Sequence, residues 1–108
     1  MSFTGNEGGQ ITLAEGAALT KAYRDKNPNA IKARFFGRAG IEQILAQPDC
    51  KGLRLYFGHG VDGTPELVMV GADSNENDML DIIYDFSKPC PASCSSVNLL
   101  NSDQGSLR

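Results

Sequence analysis

Apolar and polar positions along the chain recur with two different periods, and the switches between them predict the order of elements. In "ITLAEGAALTKAYRDKNPN", Thr12 followed by Glu15 forms a capping box, in which each side chain satisfies an otherwise orphaned backbone N–H of a first helical turn. The helix is expected from about Leu13 to about Lys26. Asn27-Pro28-Asn29 ends it, because proline cannot continue the hydrogen-bond ladder and biases the residue before it away from helical geometry. Ala14, Ala17, Ala18 and Ala22 give this helix a broad face of small residues, suited to close approach to a sheet. "AIKARFF" then alternates, with Ile31, Ala33 and Phe35 set against Lys32, Arg34 and Phe36, which predicts a half-buried strand with a basic outer face. Gly37-Arg38-Ala39-Gly40 breaks that pattern, and Ile41, Ile44 and Leu45 restore helical spacing until Pro48, a short second helix.

The stretch from Lys51 to Ser87 reads as three strands joined by two tight connections rich in Gly, Asp and Asn, and an antiparallel meander is the economical arrangement. Leu53, Leu55 and Phe57 share one face of the first strand. Leu67, Val68, Met69 and Val70 form a continuous apolar run, as a central strand requires, and Leu67, Met69 and Val70 are the predicted core. The third strand alternates Leu80, Ile82 and Tyr84 against Asp81, Ile83 and Asp85. The fold expected is α+β: a small antiparallel sheet of three or four strands with two helices packed on one face.

Composition bounds this object. A chain of 108 residues at 41% hydrophobic and 21% charged has ordinary globular make-up, and at this size roughly 65% of the unfolded surface is buried on folding. A single domain is expected over residues 11–94, with a flexible N-terminus over 1–10, where Gly5, Gly8 and Gly9 stand among few apolar residues, and a flexible polar tail over 95–108. The N-terminus carries no basic and apolar leader and no stretch approaches the ~18 apolar residues of a membrane span, so a soluble, cytoplasmic protein with no membrane partner is expected. Three cysteines cannot all pair within one chain, which makes reduced thiols the default expectation. The net charge of −3 is unevenly spread: residues 1–54 hold eight Lys/Arg against five Asp/Glu, and residues 55–108 hold two against eight. Lys21, Arg24, Lys26, Lys32, Arg34 and Arg38 are the basic cluster, and Asp73, Glu76, Asp78, Asp81 and Asp85 the acidic one. Opposite patches of this kind either complement each other within the fold or support a homo-oligomer.

"NPNAIKARFFGRAGIEQILAQPDCKGLRLYFG", "ELVMVGADSNENDML" and "KPCPASC" together carry a resemblance that spans about residues 11 to 94. Its pieces are the "LAQP" helix end followed by Cys50, the glycine-led strand after it, the "VGADSNEND" turn and the "KPCP" segment with its second cysteine. In these the chain resembles a family of short uncharacterised proteins of Bacteroidetes-type bacteria. The resemblance implies no activity, cofactor or site residue. The family often has glycine where this chain has Glu76.

Few residues carry candidate chemistry. Cys90 and Cys94 with Cys50 and His59 would make a Cys3His set suited to tetrahedral zinc, although the spacing between Cys90 and Cys94 is not that of a zinc knuckle. A redox pair would want two intervening residues at a helix N-terminus, and here prolines flank Cys90 after a strand. The favoured reading is two packed thiols in a proline-shaped turn. "DSNEND" has the oxygen-rich start of a calcium loop, yet Asp78 and Tyr84 stand where such a loop beginning at Asp73 needs glycine and a bidentate glutamate, and a hairpin connection is favoured. His59, the single histidine, lies in a glycine-rich connection near Asp62 with no nucleophile signature around it. "KAYRDKNPNAIKARFFGR" interleaves basic and aromatic residues as a nucleic-acid surface does, but the acidic second half opposes that partner. No catalytic or cofactor-binding residue is assigned. The expectation is a small non-enzymatic binding or interaction module for a protein or small ligand, self-associating, with a zinc-binding or thiol-dependent protein using the C-terminal cysteine pair as the alternative.

Overall fold

The computed structural model describes residues 2–103, and the fold is a small α+β one. In chain order the elements are α1 (Leu13–Lys26), β1 (Ala33–Phe35), α2 (Arg38–Leu45), β2 (Cys50–His59), β3 (Pro65–Asp73), β4 (Asp78–Tyr84) and β5 (Lys88–Cys90). They divide between two compact units, residues 2–8 with 36–87 and residues 9–35 with 88–103. No helix among the described residues is long and apolar enough to cross a membrane.

The first unit is the antiparallel meander β2-β3-β4 with α2 laid on one face. In the β2–β3 register Leu53, Leu55 and Phe57 stand opposite Gly71, Met69 and Leu67, so these six share a face. That face is the one α2 covers: a Cβ added at Gly71 would lie 3.0 Å from Ile44 Cγ2 and 2.9 Å from Cys50 Sγ. The core sits here. Ile44 is fully buried, Met69 and Val70 are 1% and 2% exposed, and Leu67, toward the far end of β3, is only half-buried. At the other side of α2 the ring of Tyr84 lies against Gly40, where an added Cβ would meet ring carbons at 2.8 to 3.1 Å, and its hydroxyl donates to Gln43 Oε1. Gly40 therefore trades helix propensity for close contact between helix and sheet.

Two connections shape the meander. Between β2 and β3, Gly60 N–H donates to Thr64 O at 2.8 Å and Gly63 takes a φ of 84°, a conformation that glycine adopts without steric cost. Between β3 and β4, Asp73 Oδ1 accepts from the N–H groups of Asn75 and Asn77, at 2.9 and 3.0 Å, which makes the "DSNEND" stretch the expected hairpin connection. Glu76 in that turn has a φ of 69°, in the left-handed region that favours glycine. The β3–β4 ladder is interrupted: Val70 pairs with Ile83 but Gly71 pairs with Met79, so residues 80–82 are left out of register.

The second unit holds α1 and a two-stranded sheet. The capping box is formed as expected, with Glu15 N–H donating to Thr12 Oγ1 at 3.1 Å and Thr12 N–H donating to Glu15 Oε1 at 2.9 Å. The face of α1 that is covered differs from the expected one. Gly16 is buried, with Leu100 Cδ2 3.2 Å from where its Cβ would be, and Ala17, Thr20 and Arg24 follow it, while Ala14, Ala18 and Ala22 stay exposed. Residues 98–103, placed by the sequence in a polar tail, supply the partners. Arg24 donates to Leu100 O at 2.8 Å and pairs with Asp103 at 2.7 Å, and Lys32 Nζ donates to Asn101 O at 2.7 Å. The strand expected at "AIKARFF" is β1, but it lies outside the meander and pairs antiparallel with β5, Ala33 opposite Cys90 and Arg34 opposite Pro89. β5 keeps this pairing over three residues although proline lacks the N–H donor.

Candidate functional site

The most built surface of the first unit lies along β2, which is an edge strand of the sheet. Residues 3–7 run beside its first half. Phe3 N–H donates to Ser74 O at 3.0 Å, Glu7 folds back to accept from Thr4 N–H at 2.9 Å and Gly5 N–H at 3.0 Å, and Gly5 takes a φ of 95° so that the arm passes close to Lys51 O. Asp49, also at a positive φ, ties Ser74 from below through its N–H and hydroxyl at 3.2 and 2.7 Å. A groove of about 460 Å³ opens between the arm and the strand, lined chiefly by Phe3, Glu7, Lys51, Leu53, Arg54 and Leu55.

Arg54 anchors the floor of this groove. Its guanidinium donates to Asp78 Oδ1 at 2.6 Å and Glu76 O at 3.2 Å, and its Cζ lies 5.4 Å from the centroid of the Phe3 ring, in cation–π range. Tyr56 lies on the same face of the strand and donates its hydroxyl to Asp78 Oδ2. Both carboxylate oxygens of Asp78 are thus taken. The Tyr56 hydroxyl first, and Arg54 second, hold the Asp78 carboxyl below the ordinary carboxylate range; the same bond to Asp78 pushes the Tyr56 phenol up, and Asp78 raises Arg54 further. Chemically this is a clamp that fixes the β3–β4 connection against β2.

The clamp predicts a stability profile with two edges. Asp78 has a depressed pKa in the folded state, so its contribution is complete above the unfolded value of about 3.9 and is lost as pH falls through the folded value. Tyr56 has a raised one, so its contribution is complete below about 10 and is lost as pH rises through the folded value. Denaturant midpoints should show a gap between wild type and Asp78→Asn that is constant near neutrality and closes in acid. The gap to Tyr56→Phe should close in alkali. A pH-independent gap in both variants would mean that the clamp is not formed.

The four residues suggested as zinc ligands are not gathered. Cys50 and His59 occupy the two ends of β2, ten residues long and thus about 30 Å from end to end. Cys90 and Cys94 belong to the second unit and are bonded to each other in a disulfide, Cα to Cα 4.8 Å, which corrects the expectation of reduced thiols. Cys50 is the free cysteine, half-buried beside Gly71. No group of three or more His, Cys, Asp or Glu among the described residues is placed to hold a metal ion. His59 is exposed, and the carboxylate of Asp62 accepts from Thr64 N–H at 3.0 Å.

Lys21, Arg24 and Arg38 of the basic cluster and Asp78 of the acidic one form ion pairs inside the units. Lys21 pairs with Asp25 and Asp103, Arg24 with Asp103, Arg38 with Glu42, and Arg54 with Asp78. Sequence reasoning missed the edge groove because the arm that forms its far wall has no apolar periodicity. The signal present was Phe3, one aromatic residue among glycines and polar residues. No protein-family model, no curated protein and no solved structure matches this chain.

Proposed function

We propose that this protein is a small non-enzymatic interaction module that self-associates through the outer edge of β2. The observation that supports this is a gradient of exposure along one face of that edge strand. Leu53, Leu55 and Phe57 are 38%, 47% and 92% exposed, because α2, eight residues and hence about 12 Å long, covers only the end of the sheet nearer Leu53. An exposed apolar edge strand is a template for pairing with another chain. An isologous antiparallel pairing of β2 with β2 of a second copy closes on itself as a dimer and sets both apolar rows on one continuous surface, whereas pairing β2 with a second copy's β4 is heterologous and builds rings or open filaments. The interface so formed is apolar, and the basic cluster plays no part in it.

The test is the mass in solution. Light scattering over a wide concentration range is expected to approach twice the 11.6 kDa chain mass, with no return to monomer in ~0.5 M salt, where screening acts within a few Å. Phe57→Lys is expected to weaken association by about 30-fold or more, the factor that corresponds to a ~2 kcal/mol hot spot. Leu19→Lys, an exposed position on α1, should leave it unchanged. A monomer at every concentration, or a dimer that Phe57→Lys leaves intact, would overturn the reading.

A further inference from the structure

We propose that the Cys90–Cys94 disulfide is a thiol-exchange site, in which an external low-molecular-weight thiolate attacks Cys94 Sγ and Cys90 is the leaving sulfur. Three observations carry this. The two halves are unequally accessible: Cys90 is 4% exposed, whereas Cys94 is exposed, so an incoming thiolate can approach one side of the bond only. The bridge closes a loop with only three residues between the cysteines, and a loop so short removes little freedom from the unfolded chain, which argues against a purely stabilising staple. Finally, the backbone on both sides is held independently of the sulfur bond. Lys32 N–H donates to Cys90 O at 2.8 Å and Cys90 is registered opposite Ala33, while Ser93 N–H donates to Pro89 O at 2.7 Å and Cys94 N–H to Ala92 O at 3.1 Å. The two sulfurs are therefore kept close after the bond opens, and closure remains favourable.

The chemistry balances as two exchanges. In the first, the external thiolate forms a bond to Cys94 Sγ, the Cys90–Cys94 bond breaks, and the electron pair leaves on Cys90 as a thiolate that takes a proton from solvent. In the second, another external thiolate attacks the external sulfur of the mixed disulfide and Cys94 leaves as the thiolate. Two external thiols are oxidised to their disulfide and the protein pair is reduced to a dithiol; an external disulfide drives the reverse. Cys50, in the first unit and packed beside Gly71, takes no part.

The experiment is to hold the full-length native protein in reduced and oxidised glutathione mixtures, quench with acid, alkylate, and map the adducts by peptide mass. The expected result is that Cys90 and Cys94 open and close together without denaturant, and that the trapped glutathione adduct lies on Cys94. In single-cysteine comparisons, native Cys90→Ser should react with a disulfide reagent at Cys94 about tenfold or more faster than Cys94→Ser reacts at Cys90. The wild-type mapping needs neither variant to fold. A bond that resists reduction until the protein is denatured, adducts shared equally between the two sulfurs, or a pair that stays dithiol in oxidised glutathione would each overturn the proposal.

Discussion

Ile44→Ala is expected to destabilise the protein by about 2–5 kcal/mol, and Met69→Ala by a similar amount. Ile44 is the only link of α2 to the sheet that is buried completely, and Met69 is 1% exposed in the centre of the middle strand. Both truncations remove three heavy atoms from the same packed layer, so each loses the transfer free energy of those atoms and leaves a cavity that β2 and β4 on either side cannot fill. The two side chains share this small core, and the double variant should therefore depart from the sum of the singles. Denaturant melts measure all three. A loss below ~0.5 kcal/mol for Met69→Ala, the size of an ordinary surface substitution, would put β3 at the surface and remove the meander from the account.

Gly71→Ala is expected to cost about 1–3 kcal/mol, even though alanine is the better residue for an ordered strand. Its Cβ would stand 2.9 Å from Cys50 Sγ, 3.0 Å from Ile44 Cγ2 and 3.2 Å from Gln47 Nε2. None of these can swing aside freely: Cys50 is short and begins β2, and Ile44 is the buried anchor of α2. The added methyl thus pushes the helix off the sheet. Cys50→Ala removes the nearest of the three atoms, so the Gly71→Ala cost measured in a Cys50→Ala background should be smaller than in wild type. Equal costs in the two backgrounds would mean that α2 is not seated over Gly71.

Much of the fold was legible. Thr12 and Glu15 announce α1 and Pro28 ends it, since capping and proline act within one turn and leave a local mark. The run from Leu67 to Val70 marked the central strand for an equally direct reason, burial on both faces. The start of α2 at Arg38 was harder to read, because Gly37 caps it without a side-chain hydrogen bond and "GRAG" resembles a break. What could not be read was long-range. Nothing local couples "AIKARFF" to "KPC", fifty residues away and interrupted by proline, and nothing in α1 says that Gly16 will be covered by Leu100 in place of the alanine face being covered by strands. The same holds for the sites. The cysteine pair was visible as a pair, but whether its thiols pack or bond depends on a backbone path that spacing leaves open. The groove on β2 depends on where Phe3 lies, and an isolated aromatic in a glycine-rich arm has no period to reveal it.

The central claim, that β2 is the surface on which two copies meet, is tested most directly by amide hydrogen exchange along Leu53 to Phe57 at low and high protein concentration. Every second amide of an edge strand points away from its neighbour and exchanges readily when nothing covers it. The account predicts that these outward amides slow as concentration rises, while those of β4, the opposite edge, do not change. Outward β2 amides that exchange equally fast at both concentrations, in a sample whose mass has doubled, would contradict it and move the interface elsewhere.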